Sequence, residues 1–404
     1  MNMISVPEAE RIVQQNALRL PAVACPVAEA NGLVLRQDVR ADRDLPPFDR
    51  VTMDGIAIAL AAWEAGRRSF RIEATQNAGE PPLALKDREA ACVQVMTGTV
   101  LPQGCDCVVP YEDLTITGSA AELADGIALR RMQNVHRQGS DRWKDGMLLR
   151  IGCILRSPEI AILASVGKSK VRVSSRPSVA LVATGDELVE MDQPVLPYQV
   201  RRSNSSAMQS ALLQLRCPTV STLHARDDRG ELGSCLRKAL AAHDLLILSG
   251  GVSMGKRDFV PDVLKSLGAE TLFHKVSQRP GKPLWFGKSG DGKPVFALPG
   301  NPVSALVCFH RYVLPFLFVS MGARWPAPDS AALGREVAFD EPLTYFVPVV
   351  QAASAEGLPV VTPVPYGGSG DQASLAETSG FVELPPEGKP YAAGSVVRYH
   401  RWSC

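Results

Sequence analysis

The segment RPSVALVATGDELV, residues 176–189, holds an unbroken apolar run that stops at Thr184-Gly185-Asp186-Glu187. Such a run is long enough for a strand buried on both faces and is followed by a polar turn. The design returns three times. TVSTLHA (219–225) leads to Asp227-Asp228, DLLILSGG (244–251) to a glycine loop, and PVFALPG (294–300) to Asn301-Pro302. The spacing predicts helices over 204–215, 230–242 and 258–267 and another opening at Asn301-Pro302, with Asn301 as its cap. Further strands are expected at 270–276 and 282–287. Strands alternating with helices predict an open, mostly parallel α/β sheet covered on both faces.

On the N-terminal side the rhythm differs. Ser5, Pro7 and Glu8 mark a helix start, with Ile12, Val13, Ala17 and Leu18 as its apolar face. Short apolar runs broken by Gly, Pro and Asp then fill 38–173, a mostly β pattern with one short helix over 159–164. After Pro326 and Pro328 short β-like runs return. The expected organisation is an elongated N-terminal domain of 1–45 with 140–175 and a β-rich domain inserted at 46–139. The α/β domain follows at 176–326 and a small, barrel-like β domain at 327–404.

Composition limits the function. The 404 residues are 46% hydrophobic and 21% charged, which excludes a largely disordered chain. Lys and Arg number 43 against 42 Asp and Glu, so no global basic field points to nucleic acid. The nine cysteines include no Cys-x-x-Cys pair and read as reduced thiols of a cytoplasmic protein, with Cys105 and Cys107 on one strand face. No signal-type apolar core follows the N-terminus, and the apolar stretch around 312–319 is too short to span a bilayer and contains Pro315, so no membrane is expected.

The polar clusters that follow the strands fall where open parallel sheets bind ligands. Gly250, Gly251 and Ser253 offer backbone N–H groups to an oxyanion. Lys275, Arg279 and Lys282 are cations, the last two in the stiff run Arg279-Pro-Gly-Lys282-Pro, whereas Lys256 and Arg257 read as a solvated face. Asp54, Asp141, Glu187, Asp227 and Asp258 supply hard oxygens suited to Mg2+ shared with substrate phosphates. Each cluster alone also reads as an ordinary turn or cap, Asp54-Gly55 as a hairpin turn above all. His224 and His274 read as structural, and no histidine–cysteine spacing suits zinc. The residues themselves point to a sheet edge for an anionic, phosphate-bearing ligand, without naming a reaction.

The motifs TMDGIA, MTGTVLPQGCDCVV, RPSVALVATGDELV, SGGVSMGKRDF, RPGKPLWFG, LPGNPVSALVCF and YGGSGDQASLAETSGFVELP stand in an order that resembles the MoeA-type molybdopterin molybdenumtransferases, the gephyrin E-domain family. The resemblance runs over residues 5–384. It implies Mg2+-dependent insertion of molybdate into adenylylated molybdopterin with release of AMP. It also implies a four-domain homodimer whose site is shared between subunits. On this resemblance Asp54 and Thr97 reach the site from the partner, while Glu187, Asp227 and Asp258 hold Mg2+ or the AMP phosphate, with Asp141 as a further acid. Gly250, Gly251 and Ser253 line the nucleotide or pterin pocket, and Lys275, Arg279 and Lys282 meet the anion. Pro299, Pro302, Ser304 and Ser369 shape the pterin and molybdate pocket. Arg279 stands where the family has lysine, and Val51 and Ile56 where it has serine and tyrosine around MDG. EPLTYFVPV lacks the family's C-terminal arginine. The alternative expectation is a non-catalytic molybdopterin-binding or carrier paralogue.

Overall fold

The computed structural model describes residues 3–252, 258–354, 357–388 and 390–402. Its central sheet places Val220–Ala225, Val179–Thr184, Leu245–Ser249 and Pro294–Leu298 side by side and parallel. Trp285–Lys288 and Glu270–His274 extend it antiparallel. Alternate residues of each strand serve different cores, because strand side chains point to opposite faces. Val179, Leu181, Leu245 and Ile247 pack on one side, and Ala180, Val182, Leu246 and Leu248 on the other. The helices Ser203–Gln214, Arg229–Ala242 and Val260–Ser266 lie between the strands in sequence. Asp228 starts the second of these by accepting from Gly230 N–H at 2.9 Å and Glu231 N–H at 2.8 Å. The acidic pair thus divides its labour, Asp228 capping and Asp227 facing the cleft described below.

The N-terminal helix is Val6–Gln15, with Ser5 Oγ accepting from Glu8 N–H at 3.3 Å. Its Val6, Ala9 and Val13 enter the core of the central sheet rather than one among residues 22–45. The inserted region forms a six-stranded sheet in the order Cys107–Pro110, Gly55–Ile58, Ala91–Val95, Ser69–Gln76, Ala120–Leu123, Leu114–Thr117. Cys105 and Cys107 do not share a face as expected. Cys105 lies in the turn before the strand, so the two thiols enter separate hydrophobic clusters. All eight cysteines among the described residues are free.

The C-terminal strands close into a small barrel, because Thr344–Ala353 pairs with both Pro359–Pro363 and Gly380–Leu384. Gln278–Arg279 of the central region joins its edge, with Arg279 opposite Tyr345. Between sheet and barrel runs Pro302–Ser320, 19 residues of continuous helix with a π segment at Phe309–Val313. It corrects the expectation of a short stretch, since by length and composition it suffices to cross a membrane. Of its most apolar window 78% is buried, as in a core helix.

Candidate functional site

A cleft of about 1590 Å3 opens at the C-terminal ends of the parallel strands, between central sheet and barrel. Its floor is the run Ser249-Gly250-Gly251-Val252. Gly250 has φ +103°, and a Cβ there would stand 2.7 Å from both Thr184 O and Thr184 Oγ1. Only glycine lets this backbone lie so close to the neighbouring strand end. Gly250→Ala is therefore expected to cost about 1–3 kcal/mol through steric and backbone strain. Urea denaturation checks it, and wild-type stability would show that the loop relaxes without cost.

Buried polar atoms cluster beside the same space. Thr184 Oγ1, Asn204 Oδ1 and Arg202 Nε are buried without a hydrogen-bond partner among the described residues, and all three residues line the cleft. Buried polar groups are normally satisfied, so three orphans at one cleft mark a place for a polar ligand. Asn204 is oriented by donating from Nδ2 to Ser249 Oγ at 2.9 Å and to Gly300 O at 2.8 Å.

Charge is distributed unevenly. Glu187, Asp227 and Asp258 line the cleft, as do Arg201, Arg202, Arg279 and Lys282. Arg202 pairs with Glu190, and Arg279 pairs with Glu341 while its guanidinium lies 6.0 Å from the centre of the Tyr345 ring. Lys282 has no ion pair among the described residues. Its loop is held by Val276 N–H to Lys282 O at 2.9 Å and by Gly281, where a Cβ would come 2.5 Å from Cys308 Sγ. The barrel wall contributes Glu341, Tyr345, Tyr366, Ser369 and Gln372 but, among the described residues, no lysine or arginine. The Tyr345 and Tyr366 hydroxyls lie 3.2 Å apart, and burial together with this contact raises the Tyr366 phenol well above its ordinary value.

The cleft gathers Glu187, Asp227, Gly250, Gly251, Asp258, Arg279, Lys282, Pro299, Pro302, Ser304 and Ser369. Ser253 lies outside the described residues, with Lys256 and Arg257. Lys275 does not line it, nor do Asp54, Thr97 and Asp141. Asp54 and Thr97 meet each other at one end of the inserted sheet. Thr97 N–H and Oγ1 each lie 2.6 Å from Asp54 Oδ1, and these bonds hold the carboxyl below its usual range. Asp141 Oδ1 lies 2.8 Å from His136 Nε2.

Asn301 departs from expectation. It precedes the helix but makes no side-chain cap bond, and its Nδ2 donates to Ser369 Oγ at 2.8 Å. The second helical N–H, that of Val303, donates to Ser369 O at 3.1 Å, so the same barrel loop takes the place of a side-chain cap. His224 and His274 brace the cleft loops, Nε2 lying 2.8 Å from Gly185 O and 3.3 Å from Val252 O. Arg201, Arg202, Tyr345 and Tyr366 escaped the sequence reading. The first two adjoin a Ser/Asn-led helix start, a usable signal for an anion site. The tyrosines are isolated aromatics that only the barrel's docking brings to the cleft.

The donors suit a particular kind of cation. Four carboxylates line one cleft, Glu341 paired with Arg279 among them, yet no group of three or more His, Cys, Asp or Glu among the described residues stands close enough to hold a metal alone. The set fits an ion such as Mg2+ that keeps water and shares substrate oxygens.

Comparison with known proteins agrees with this architecture. Residues 4–167 match the MoeA N-terminal region (domain I and II), 180–318 the "Probable molybdopterin binding domain", and 330–402 the MoeA C-terminal region (domain IV). A Synechocystis protein named molybdopterin molybdenumtransferase is 37% identical over 401 residues, 99% of this chain and 100% of its own length. A Staphylococcus epidermidis protein of the same name is 30% identical, over 98% of this chain and 94% of its own. The crystal structure of a molybdopterin biosynthesis MoeA protein from Pyrococcus horikoshii superposes with TM-score 0.81 at 25% identity, covering 99% of this chain and 100% of that one. Matches along the whole length, in one order and with one fold, place the chain in the MoeA family of molybdopterin molybdenumtransferases.

Proposed function

We propose that this transferase of molybdenum cofactor biosynthesis inserts molybdate into adenylylated molybdopterin and releases AMP, in the cytoplasm and as a homodimer. The observation that carries the reading is the one cleft that brings carboxylates, cations and orphaned polar atoms around an open glycine loop. The substrate bears phosphates and molybdate is a dianion, so both need this combination.

The chain's own groups divide the work. The Gly250-Gly251 backbone and the orphaned Thr184, Arg202 and Asn204 atoms bind and orient the nucleotide and pterin. Lys282 and Arg279 face the charge that grows on the phosphate oxygens as the anhydride bond breaks. Preorganised cations are worth most in such a site because they need no reorganisation. Pro299, Pro302, Ser304 and Ser369 shape the pocket where sheet and barrel meet, Ser369 fixed by Asn301. Glu187, Asp227 and Asp258 would hold Mg2+, which when bound supplies Lewis-acid neutralisation of phosphate charge. Asp54 and Thr97, paired on the inserted sheet and away from the cleft, act from the second subunit, and Asp141 and Lys275 complete the assignment. Among the described residues no lysine or arginine of the barrel lines the cleft, so Arg279, held between Glu341 and Tyr345, takes the place of a C-terminal cation.

The test is a single turnover with adenylylated molybdopterin, Mg2+ and molybdate, following AMP and cofactor together. AMP and cofactor rising in step, only with molybdate, is the expected result. Substrate that binds while AMP stays attached would make the chain a carrier. Asp227→Asn is expected to slow AMP release about 10–100-fold at low Mg2+ and less at high Mg2+. An effect independent of Mg2+ would remove Asp227 from the metal set.

A further inference from the structure

The inserted sheet has two chemically different ends. Gly55 pairs with Val95 at one, and Asp54 and Thr97 stand just beyond. Ile58 pairs with Cys107 at the other. There a second cleft of about 1050 Å3 opens between the short helix Leu60–Glu64 with the turn after it and the loops that precede two neighbouring strands. Its charged residues are Arg67, Arg68, Arg88 and Arg131 against Glu89 and Asp106.

The two acids neutralise this set only in part. Asp106 is committed to the Leu60 N–H at 2.7 Å and to Arg131 Nε at 3.4 Å. Arg67 Nε donates to the Glu89 carbonyl at 3.2 Å rather than to its carboxylate. Arg68 is fixed by donating from Nη1 to Trp63 O at 2.8 Å and Arg67 O at 2.9 Å, its guanidinium 5.1 Å from the Trp63 ring centre. Arg88 has neither ion pair nor hydrogen bond among the described residues, yet it is positioned. It lies on Gly104, where φ is +89° and a Cβ would meet its Nε at 2.8 Å. A guanidinium seated on bare backbone, with its fork unspent, is presented to something outside the chain.

We propose that this cleft binds a small phosphate-bearing anion, at a site separate from the substrate cleft. Guanidinium forks match phosphate oxygens two at a time, which ammonium groups cannot do. The concavity has the volume of a small-molecule pocket rather than of a flat protein-docking face. Four arginines against two carboxylates leave a local excess of positive charge in a chain with net charge +1, and an anion offsets it.

Calorimetric titration of the full-length protein with inorganic pyrophosphate tests the proposal. Two classes of site are expected. Arg88→Gln and, separately, Arg67→Gln should each weaken one class at least about ten-fold while leaving AMP release unchanged. Lys282→Ala should weaken only the other class. The second arginine variant guards against a packing effect at Gly104, and an unchanged melting temperature in either confirms a folded protein. A single class abolished by Lys282→Ala and indifferent to both arginine variants would overturn the proposal. So would hexaglutamate displacing pyrophosphate from this class at lower concentration, since that result assigns the cleft to an acidic protein segment.

Discussion

Arg311→Leu is expected to lower the stability of the protein by about 3–5 kcal/mol, the cost of leaving a buried charge without its partner. Arg311 side chain is 4% exposed and Glu383 2%. Arg311 Nε donates to Glu383 Oε2 at 2.8 Å and Nη2 to Glu10 Oε2 at 2.6 Å, while Arg398 and His400 reach Glu383 at 3.1 and 3.2 Å. One guanidinium thus joins the N-terminal helix, the long core helix and the barrel. Burial alone would raise the Glu383 carboxyl, but the His400 hydrogen bond and the Arg311 charge outweigh it and pull it from 4.5 to about 2. Its stabilisation is therefore complete above 4.5 and lost as pH falls toward 2. Burial holds His310 neutral, down from 6.5 to about 4, with the nearby His400 adding to the effect. The unfolded chain protonates this histidine first, so stability also declines as pH drops from 6.5 to 4. Each such group contributes up to about 1.4 kcal/mol per pH unit. Urea midpoints across this range should fall steadily below pH 6.5 in the wild type. Arg311→Leu should start lower and be flatter between 4.5 and 2. The double variant Arg311→Met/Glu383→Met should recover much of the loss, because it removes both buried charges. An undiminished midpoint in Arg311→Leu would mean that the barrel docks without this network.

Asp54→Ala and Lys282→Ala are each expected to depress AMP release about 10²–10³-fold, the range for losing one preorganised charge-stabilising contact. Mixed after dissociation and reassociation, the two inactive proteins should recover about a quarter of wild-type activity, because random pairing makes half the dimers mixed and one of two sites in each is intact. The reasoning is spatial. Lys282 sits in the cleft on a loop that Pro280 and Pro283 stiffen, whereas Asp54 pairs with Thr97 on a different sheet and does not line that cleft. The backbone keeps Asp54 there, since at Gly55 a Cβ would lie 1.9 Å from Val109 O. No recovery from the mixture, with dimers present by light scattering, would refute a site shared between subunits. Full activity of Asp54→Ala alone would return that residue to the role of a turn.

The strand-then-polar-turn rhythm from 176 onward was enough to foresee the α/β sheet, because a strand buried on both faces leaves an apolar run that no solvent-exposed element needs. The helix start at Ser5 was equally local, resting on one side-chain oxygen and a nearby N–H. The cleft's polar residues were legible for the same reason, since they follow strands at fixed offsets. Residue type could not tell which of Asp227 and Asp228 would cap. Nor could it show that Asn301 would reach Ser369, 68 positions on, in preference to its own helix. Cys105 and Cys107 parted because the strand begins between them, a boundary set by pairing with Gly55–Ile58. Arg279 meeting Tyr345, Arg311 meeting Glu383, and Arg88 lying on Gly104 all depend on how separate segments dock. Sequence by itself carries the periods and turn chemistry that specify elements, which act over a few residues. Long-range partners come from burial and register, and these exist only once the sheet, the core helix and the barrel have closed on one another.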